Sequence, residues 1–225
     1  VRRRAAREPL AYLTGRRPFY DLVLDVAPGV LVPRPETEGI VEEVLAWARD
    51  RRGPLRIADV GTGSGAIAVA LARHLPGAAV VATDRSPAAL AVAARNVARY
   101  DLGGRVTLVR ADLLEGVAGP LDVVASNPPY VPSGRLDDLA PEIRDHEPRE
   151  ALDGGPDGLD VIRRLLPQAA GRLGAGGLLV VEIDESHGAA AAALARDAFP
   201  AADVAVRPDL AGLDRLLCVS LPAHR

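Results

Sequence analysis

RIADVGTGSGAIAVALARH, residues 56–74, decides the fold. Its first five residues read as a buried strand, and the alanine-rich run after the glycines reads as a helix ending near His74. Between them GTGSG leaves no room for a long loop, so the chain turns sharply from strand into helix. Outward from this unit the alternation repeats. AVVATD (79–84) is a second strand, and Ser86 with Pro87 supplies the N-cap and first residue of a helix through about Tyr100. VTLVRAD (106–112), LDVVAS (121–126), GGLLVVEI (176–183), DVAV (203–206) and RLLCVSL (215–221) continue the strand series. GLDVIRRLLPQAAGRL (158–173) and ESHGAAAAALARDAF (185–199) carry helical apolar spacing. The alternation predicts an α/β fold: a mostly parallel sheet of about seven strands with helices on both faces. The last two strands are too close in sequence for a crossover, which makes the final strand antiparallel.

The N-terminal stretch has a different texture. FYDLVLDVAPGVLVPR (19–34) alternates apolar and polar residues around Pro28-Gly29 and predicts a small β-hairpin. After Pro33-Arg34-Pro35, ETEGIVEEVLAWARDRR (36–52) places acids in its first turn and arginines in its last, as the helix dipole favours. The expected division is an N-terminal segment with its hairpin over 1–35 and the α/β domain over 36–225.

The 225 residues are 48 % hydrophobic and 25 % charged, an ordinary globular balance that excludes disorder, collagen and a disulfide scaffold. A net charge of -3 argues against affinity won mainly by neutralising phosphates. Methionine and lysine are missing, so the excess of arginine carries no information about nucleic acid. Asn96 and Asn127 are the only asparagines, which marks both as candidates for function in a chain that otherwise avoids the residue. Cys218 lies alone in an apolar run and reads as a buried, inert thiol. His74, His146, His187 and His224 lack metal-ligand spacing and read as surface or helix-end residues, so no metal is expected. Ser64 is no nucleophile elbow, because Thr62 and Ala66 stand where that motif needs glycine. No apolar stretch approaches the roughly 18 residues of a membrane helix, and the N-terminus lacks the apolar core of a signal peptide. The expected compartment is the cytoplasm.

The loop 61–66, Gly-Thr-Gly-Ser-Gly-Ala, lets a nucleotide-like ligand approach the backbone closely. It also satisfies the G-x-G-x-x-A form of the dinucleotide fingerprint, so a nicotinamide oxidoreductase stays open at this point. Asp84, at the end of the second strand, is placed to accept from ribose hydroxyls, or simply to cap the next helix. Asp112 ends the third strand, where nucleoside-binding folds reach an adenine amine. Ser126-Asn127-Pro128-Pro129-Tyr130, after the fourth strand, separates the cofactors. Two prolines stiffen the loop and remove two backbone donors, leaving carbonyl acceptors. Asn127 adds a side-chain carbonyl, the Pro128 main chain another, and Tyr130 a flat face, an arrangement that holds a planar NH2 group. Hydride transfer has no use for it.

Asp-x-Gly-x-Gly-x-Gly, the acid after the second strand and Asn-Pro-Pro-Tyr together resemble class I S-adenosylmethionine-dependent methyltransferases acting on amino nitrogens. The flanks 8–38, 146–166 (HEPREALDGGPDGLDVIRRLL) and 208–217 (PDLAGLDRLL) are similar to the protein-glutamine methyltransferases that modify the Gly-Gly-Gln tip of peptide chain release factors. The resemblance covers nearly the whole chain. It implies that Gly61, Thr62, Gly63, Ser64 and Gly65 wrap the methionine part of S-adenosyl-L-methionine, that Asp84 holds the ribose, and that Asp112 with Leu113 flanks the adenine. Asn127, which also borders the cofactor, would receive the substrate glutamine with Pro128, Pro129 and Tyr130, and Asn127 and Pro128 would act on the reacting nitrogen. Phe19 matches an aromatic that walls the glutamine pocket. Arg34 and Glu36 fall near the cofactor and Glu182 near the site, without an assigned role.

Three readings follow: a protein-glutamine methyltransferase with a release factor as partner, a nucleic-acid amino-group (adenine or guanine) methyltransferase using the same pocket, or a cofactor-binding module whose activity has decayed. The charge speaks against the second and the intact Asn127 to Tyr130 run against the third. This chain departs from the family's pattern at His146, where relatives commonly carry phenylalanine, and at Asp184, where they carry glycine. The resemblance also implies that the family's helical N-terminal domain does not precede Val1. Substrate grip then falls to the hairpin, the arginines at 2–4 and 16–17, and the loop 131–150.

Overall fold

The computed structural model describes residues 1–223, so His224 lies outside the described residues. In chain order the elements are α1 (Arg2–Ala5), α2 (Leu10–Thr14), β1 (Arg16–Phe19), β2 (Leu22–Asp25), α3 (Glu38–Ala48), β3 (Arg56–Val60), α4 (Ala66–His74), β4 (Ala79–Asp84), α5 (Pro87–Arg99), β5 (Val106–Arg110) and β6 (Leu121–Ser126). They continue with α6 (Pro141–Arg144), α7 (Asp160–Ala170), β7 (Leu173–Glu182), α8 (Gly188–Ala198), β8 (Asp203–Pro208) and β9 (Asp214–Ser220). The large sheet has seven strands in the order β5-β4-β3-β6-β7-β9-β8. The strands from β3 to β7 pair in parallel, and β9 inserts antiparallel between β7 and β8. The α/β sheet with its antiparallel final strand therefore stands as the sequence predicts.

Side chains along each central strand alternate between two cores. In β7, Leu178 and Val180 face the cluster that holds Ile40, Val44 and Leu71, while Leu179 and Val181 face the one that holds Ile162, Leu165 and Ala195. Helices α3 and α4 thus cover one face, and α7 and α8 the other. Each fully buried valine, leucine or isoleucine contributes roughly 1.5–3 kcal/mol of transfer free energy. Cys218 is buried in the first cluster, and its thiol is pushed up to about 12 by burial, which keeps it unreactive.

The hairpin closes earlier than its sequence pattern predicts. Its strands are β1 and β2, paired from Arg16↔Asp25 to Phe19↔Leu22, and the turn is Tyr20-Asp21, with Tyr20 at φ 56. Pro28-Gly29 forms a second turn beyond it. A Pro-Gly turn makes a hairpin only where both flanks pair with each other, and here Val26 N bonds Gly15 O while Val32 N donates to Glu147 Oε2. The hairpin is clamped to α5 by Asn96, whose side chain accepts from Asp25 N (2.7 Å) and donates to Asp25 O (2.9 Å) and Ser64 O (2.8 Å). Asn96 is fully buried, so its role in this fold is a joint between hairpin, α5 and glycine loop. The helix expected over 36–52 is shorter: Pro35–Thr37 is a 3-10 turn and Arg49, Arg51 and Arg52 fall beyond α3.

Candidate active site

The order of the sheet reverses at β3, since β4 and β5 run off to one side and β6 and β7 to the other. Ligands of such sheets bind at the carboxyl ends of the strands flanking that point. A cleft lies there, and Gly61, Gly63, Asp84, Asp112, Leu113, Asn127 and Pro129 line it together with Val30, Glu150 and Arg164. The glycine loop is held against the end of β4: Gly61 N and Thr62 N both donate to Thr83 O (2.9 Å each), and Gly63 N donates to Asp84 Oδ2 (2.9 Å). Gly61 and Gly63 have positive φ (73° and 55°), and a methyl added to either would meet nothing within 4 Å. That open space above a bare backbone is the cradle a nucleoside-like cofactor requires. Gly65 opens α4, and a methyl there would lie 3.2 Å from the Ala93 side chain, so it serves the approach of α5.

Asp84 has a double duty. Its Oδ2 braces Gly63 and its Oδ1 accepts from Ser86 N (2.8 Å), while Ser86 Oγ caps α5 by accepting from Ala89 N (3.3 Å). A carboxylate offers about four acceptor sites, so two remain for hydroxyls in the cleft. Leu113 holds a strained backbone at φ 54, pinned where Thr83 Oγ1 donates to its carbonyl (2.8 Å). Asp112 is half-exposed and paired with Arg164 (2.5 Å) across the cleft wall.

Asn127 follows β6 and is fixed by a chain of hydrogen bonds. Its Nδ2 donates to Thr37 Oγ1 (2.9 Å), Thr37 Oγ1 donates to Glu182 Oε2 (2.6 Å), and Tyr130 OH donates to Glu182 Oε1 (3.0 Å). Glu182 ends β7 and is fully buried. Burial pushes its carboxyl above the usual glutamate range, opposed by the hydrogen bonds from Thr37 and Tyr130 and by the charge of Arg215. A second buried acid, Glu147, accepts from Val32 N (3.2 Å) and from Arg34 (2.6 Å), which ties the Pro-Arg-Pro segment to the loop after Tyr130. Arg34 is thus placed by a structural pair. Glu36 is exposed and faces away from the cleft.

Asp59, one residue before the end of β3, is the third buried acid. Its Oδ2 accepts from Thr62 Oγ1 (2.6 Å) and Ala68 N (3.0 Å), whereas Oδ1 has no partner among the described residues. Burial pushes its carboxyl up to about 7, the two hydrogen bonds opposing and the charge of Asp84 adding. Because the folded value lies above the unfolded one near 3.8, the contribution to stability is full below about pH 4 and lost as pH rises through 7. Asp59→Asn removes that slope. The fall in Tm between pH 5 and pH 8 is expected to be smaller in the variant than in the parent chain, and equal falls would place the proton elsewhere.

Of the residues singled out from sequence, the cleft brings together Gly61, Gly63, Asp84, Asp112, Leu113, Asn127 and Pro129. Thr62, Ser64 and Gly65 are buried beneath the loop, and Pro128 is buried beside Asn127. Tyr130 is half-buried and turned toward Glu182. Phe19 is 1 % exposed and packs in the core with α3 and α4, outside the cleft lining. Among the described residues no group of three or more His, Cys, Asp or Glu side chains is placed to hold a metal ion, and no helix is long and apolar enough to cross a membrane.

Two of the contributors here lie in the flanking stretches and are given no role by the sequence. Thr37 ends the 3-10 turn that leads into α3, and its hydroxyl goes to Glu182. The glycines of the loop 152–158 back the Asn-Pro-Pro-Tyr segment, with Gly154 N bonding Val131 O and Val131 N bonding Leu152 O (2.9 Å each).

The methyltransferase small domain family matches residues 43–144. A release factor glutamine methyltransferase of Moorella thermoacetica is 51 % identical over 219 residues, covering 96 % of this chain and 76 % of the relative. One from Gloeobacter violaceus is 47 % identical over 211 residues, covering 93 % and 73 %. Among solved structures, the release factor-specific protein-(glutamine-N5) methyltransferase of Alicyclobacillus acidocaldarius superposes with a TM-score of 0.52 at 29 % identity, covering 88 % of this chain and 99 % of that one. The T. thermophilus 16S rRNA N2 G1207 methyltransferase, solved with AdoMet and guanosine, has a TM-score of 0.66 at 18 % identity, covering 92 % and 49 %, a likeness of fold alone.

Proposed function

This chain belongs to the family of release factor glutamine methyltransferases, and from that premise we propose that it transfers a methyl group from S-adenosyl-L-methionine to the side-chain amide nitrogen of a glutamine, the one in the Gly-Gly-Gln tip of a peptide chain release factor. One observation carries the reading. Asn127 gives its NH2 to Thr37, which leaves Oδ1 as an acceptor at the cleft beside two prolines that have no N–H.

The glycine loop, Asp84, Asp112 and Leu113 fit the cofactor, the open space over Gly61 and Gly63 taking its methionine part and Asp84 its ribose hydroxyls. Bound there, S-adenosylmethionine supplies an electrophilic methyl group. The rest is the work of the chain. An amide nitrogen is a poor nucleophile because its lone pair is delocalised into the carbonyl. Asn127 Oδ1 and the Pro128 carbonyl accept its two hydrogens and hold the NH2 group in one orientation, which replaces a random encounter by a pre-oriented one. Tyr130 is held by Glu182 and supports the plane of the amide. No strong base is needed beforehand, since the nitrogen releases its proton only as it gains positive charge.

The relatives at 42–51 % identity favour a protein glutamine over a nucleic-acid amino group. Incubation with labelled S-adenosylmethionine, and with release factor and rRNA in separate tubes, tests the choice. Label is expected on the release factor, mapped by mass spectrometry to the glutamine, with the RNA blank. Labelled RNA and a blank release factor would reverse it. A release factor substrate supports a cytoplasmic site for the enzyme's work.

A further inference from the structure

Glu182 and Thr37 do not line the cleft and lie 145 residues apart in sequence, yet together they contact both polar residues of the Asn-Pro-Pro-Tyr segment. We propose that Thr37 is a positioning residue: through its hydroxyl the buried Glu182 fixes which end of the Asn127 amide faces the substrate. This rests on the reading of the cleft as a glutamine site.

The direction of each hydrogen bond follows from the donors available. An ionised carboxylate only accepts, so Thr37 must spend its single proton on Glu182. Its oxygen is then left as an acceptor, and Asn127 must turn its NH2 toward it. Oδ1 is forced to the opposite side, where it can receive the N–H of the substrate amide. If Glu182 were protonated, it could donate to Thr37 and the Thr37 proton would turn to Asn127. The amide would then flip and set its own NH2 against that of the substrate, two donors face to face. Burial resists the ionised state of Glu182, and the charge of Glu36 resists it further. The hydroxyls of Thr37 and Tyr130 and the guanidinium of Arg215, on β9, sustain it. Thr37 ends the 3-10 turn that runs into α3 and has helical φ and ψ (-66° and -19°), so its hydroxyl is not called on as a cap and is free to meet Glu182.

Thr37→Val keeps the branched shape and removes only the hydroxyl. We expect kcat on release factor to fall about 10- to 100-fold, with KM for the release factor and Kd for S-adenosylmethionine within about threefold of the parent, and Thr37→Ser to restore most of the rate. A role in packing alone would move stability and both binding constants and would not be rescued by the smaller serine. Asn96 and Asn127 being the only asparagines, selective 15N-asparagine labelling gives two side-chain NH2 signals, read without substrate or cofactor. In Thr37→Val the Asn127 signal should shift while the Asn96 signal, held by Asp25 and Ser64, stays. In the parent chain, lowering the pH should move the Asn127 signal and reduce kcat with one common midpoint above the usual glutamate range, because the ionised carboxylate is the active form. An unmoved Asn127 signal, a Thr37→Val rate within about twofold of the parent, or two separate midpoints would overturn the relay. Should the parent chain leave release factor unmethylated, the substrate reading falls, and the Asn127 signal still decides the relay.

Discussion

Asn127→Ala is expected to lower kcat for methyl transfer by about a hundredfold or more while Kd for S-adenosylmethionine changes by no more than about threefold. Removal of one well-placed polar group at a reacting centre costs about 10²–10³ in rate. Here the loss is compounded, because the truncation takes away one of the two acceptors proposed for the substrate NH2 and leaves the Thr37 hydroxyl oxygen without its donor. The cofactor should hardly notice, since the groups we propose to face it, Gly61, Gly63, Asp84 and Leu113, are anchored to β4 and not to Asn127. Single-turnover rates and calorimetric titration separate the two quantities. A variant that turns over normally would remove Asn127 from the chemistry, and one that loses cofactor affinity in proportion to rate would make it a cofactor ligand first.

The α/β sheet was legible because its signals are local and repeated. RIADV into GTGSG into an alanine run specifies strand, turn and helix within about twenty residues, and the following units copy the pattern. The hairpin was harder to read. Its turn, Tyr20-Asp21, carries no glycine, asparagine or proline at the position of positive φ, whereas Pro28-Gly29 advertises a turn that closes no ladder. What decides between them is the docking of β2 onto α5 through Asn96, a contact 71 residues away in sequence. Rarity in the composition pointed to both asparagines. It says that a residue is hard to replace and does not say whether chemistry or packing makes it so, and Asn96 proves to be the packing case.

The cleft residues that lie in motifs could be found because backbone geometry and motif coincide there, as in the glycine loop. Thr37 could not, and Glu182 could be set near the site only without a role, for a buried acid at a strand end and a threonine at a helix start are commonplace one at a time. Only the sheet order, which sets β6 beside β7, and the packing of α3 across them bring the pair to Asn127. A threonine hydroxyl at a helix start that reaches a carboxylate 145 residues away is the kind of contact that a structure shows and a sequence cannot.

Gly158→Ala is the second large effect, and it acts on the same segment from behind. Gly158 has φ +78, and a methyl there would lie 2.3 Å from the carbonyl oxygen of Tyr130 and 2.5 Å from Cε1 of the buried His187. Neither contact is tolerable, and the first is with backbone, so relief requires moving either the loop 152–158 or Tyr130 itself. A left-handed conformation costs alanine roughly 1 kcal/mol and overpacking a further 1–3 kcal/mol. For a chain of this size each kcal/mol lowers Tm by about 2–4 °C, so a fall of roughly 5–15 °C is expected. Because the closest contact is with the Tyr130 backbone, kcat should fall as well at temperatures where the variant is fully folded, through a slackened hold on the substrate amide. Gly103→Ala is the control: it is exposed, has an ordinary φ and meets nothing within 4 Å, and should leave both Tm and kcat unchanged. A Gly158→Ala variant that melts early yet turns over at the parental rate when folded would separate the loop's structural role from the placement of Tyr130.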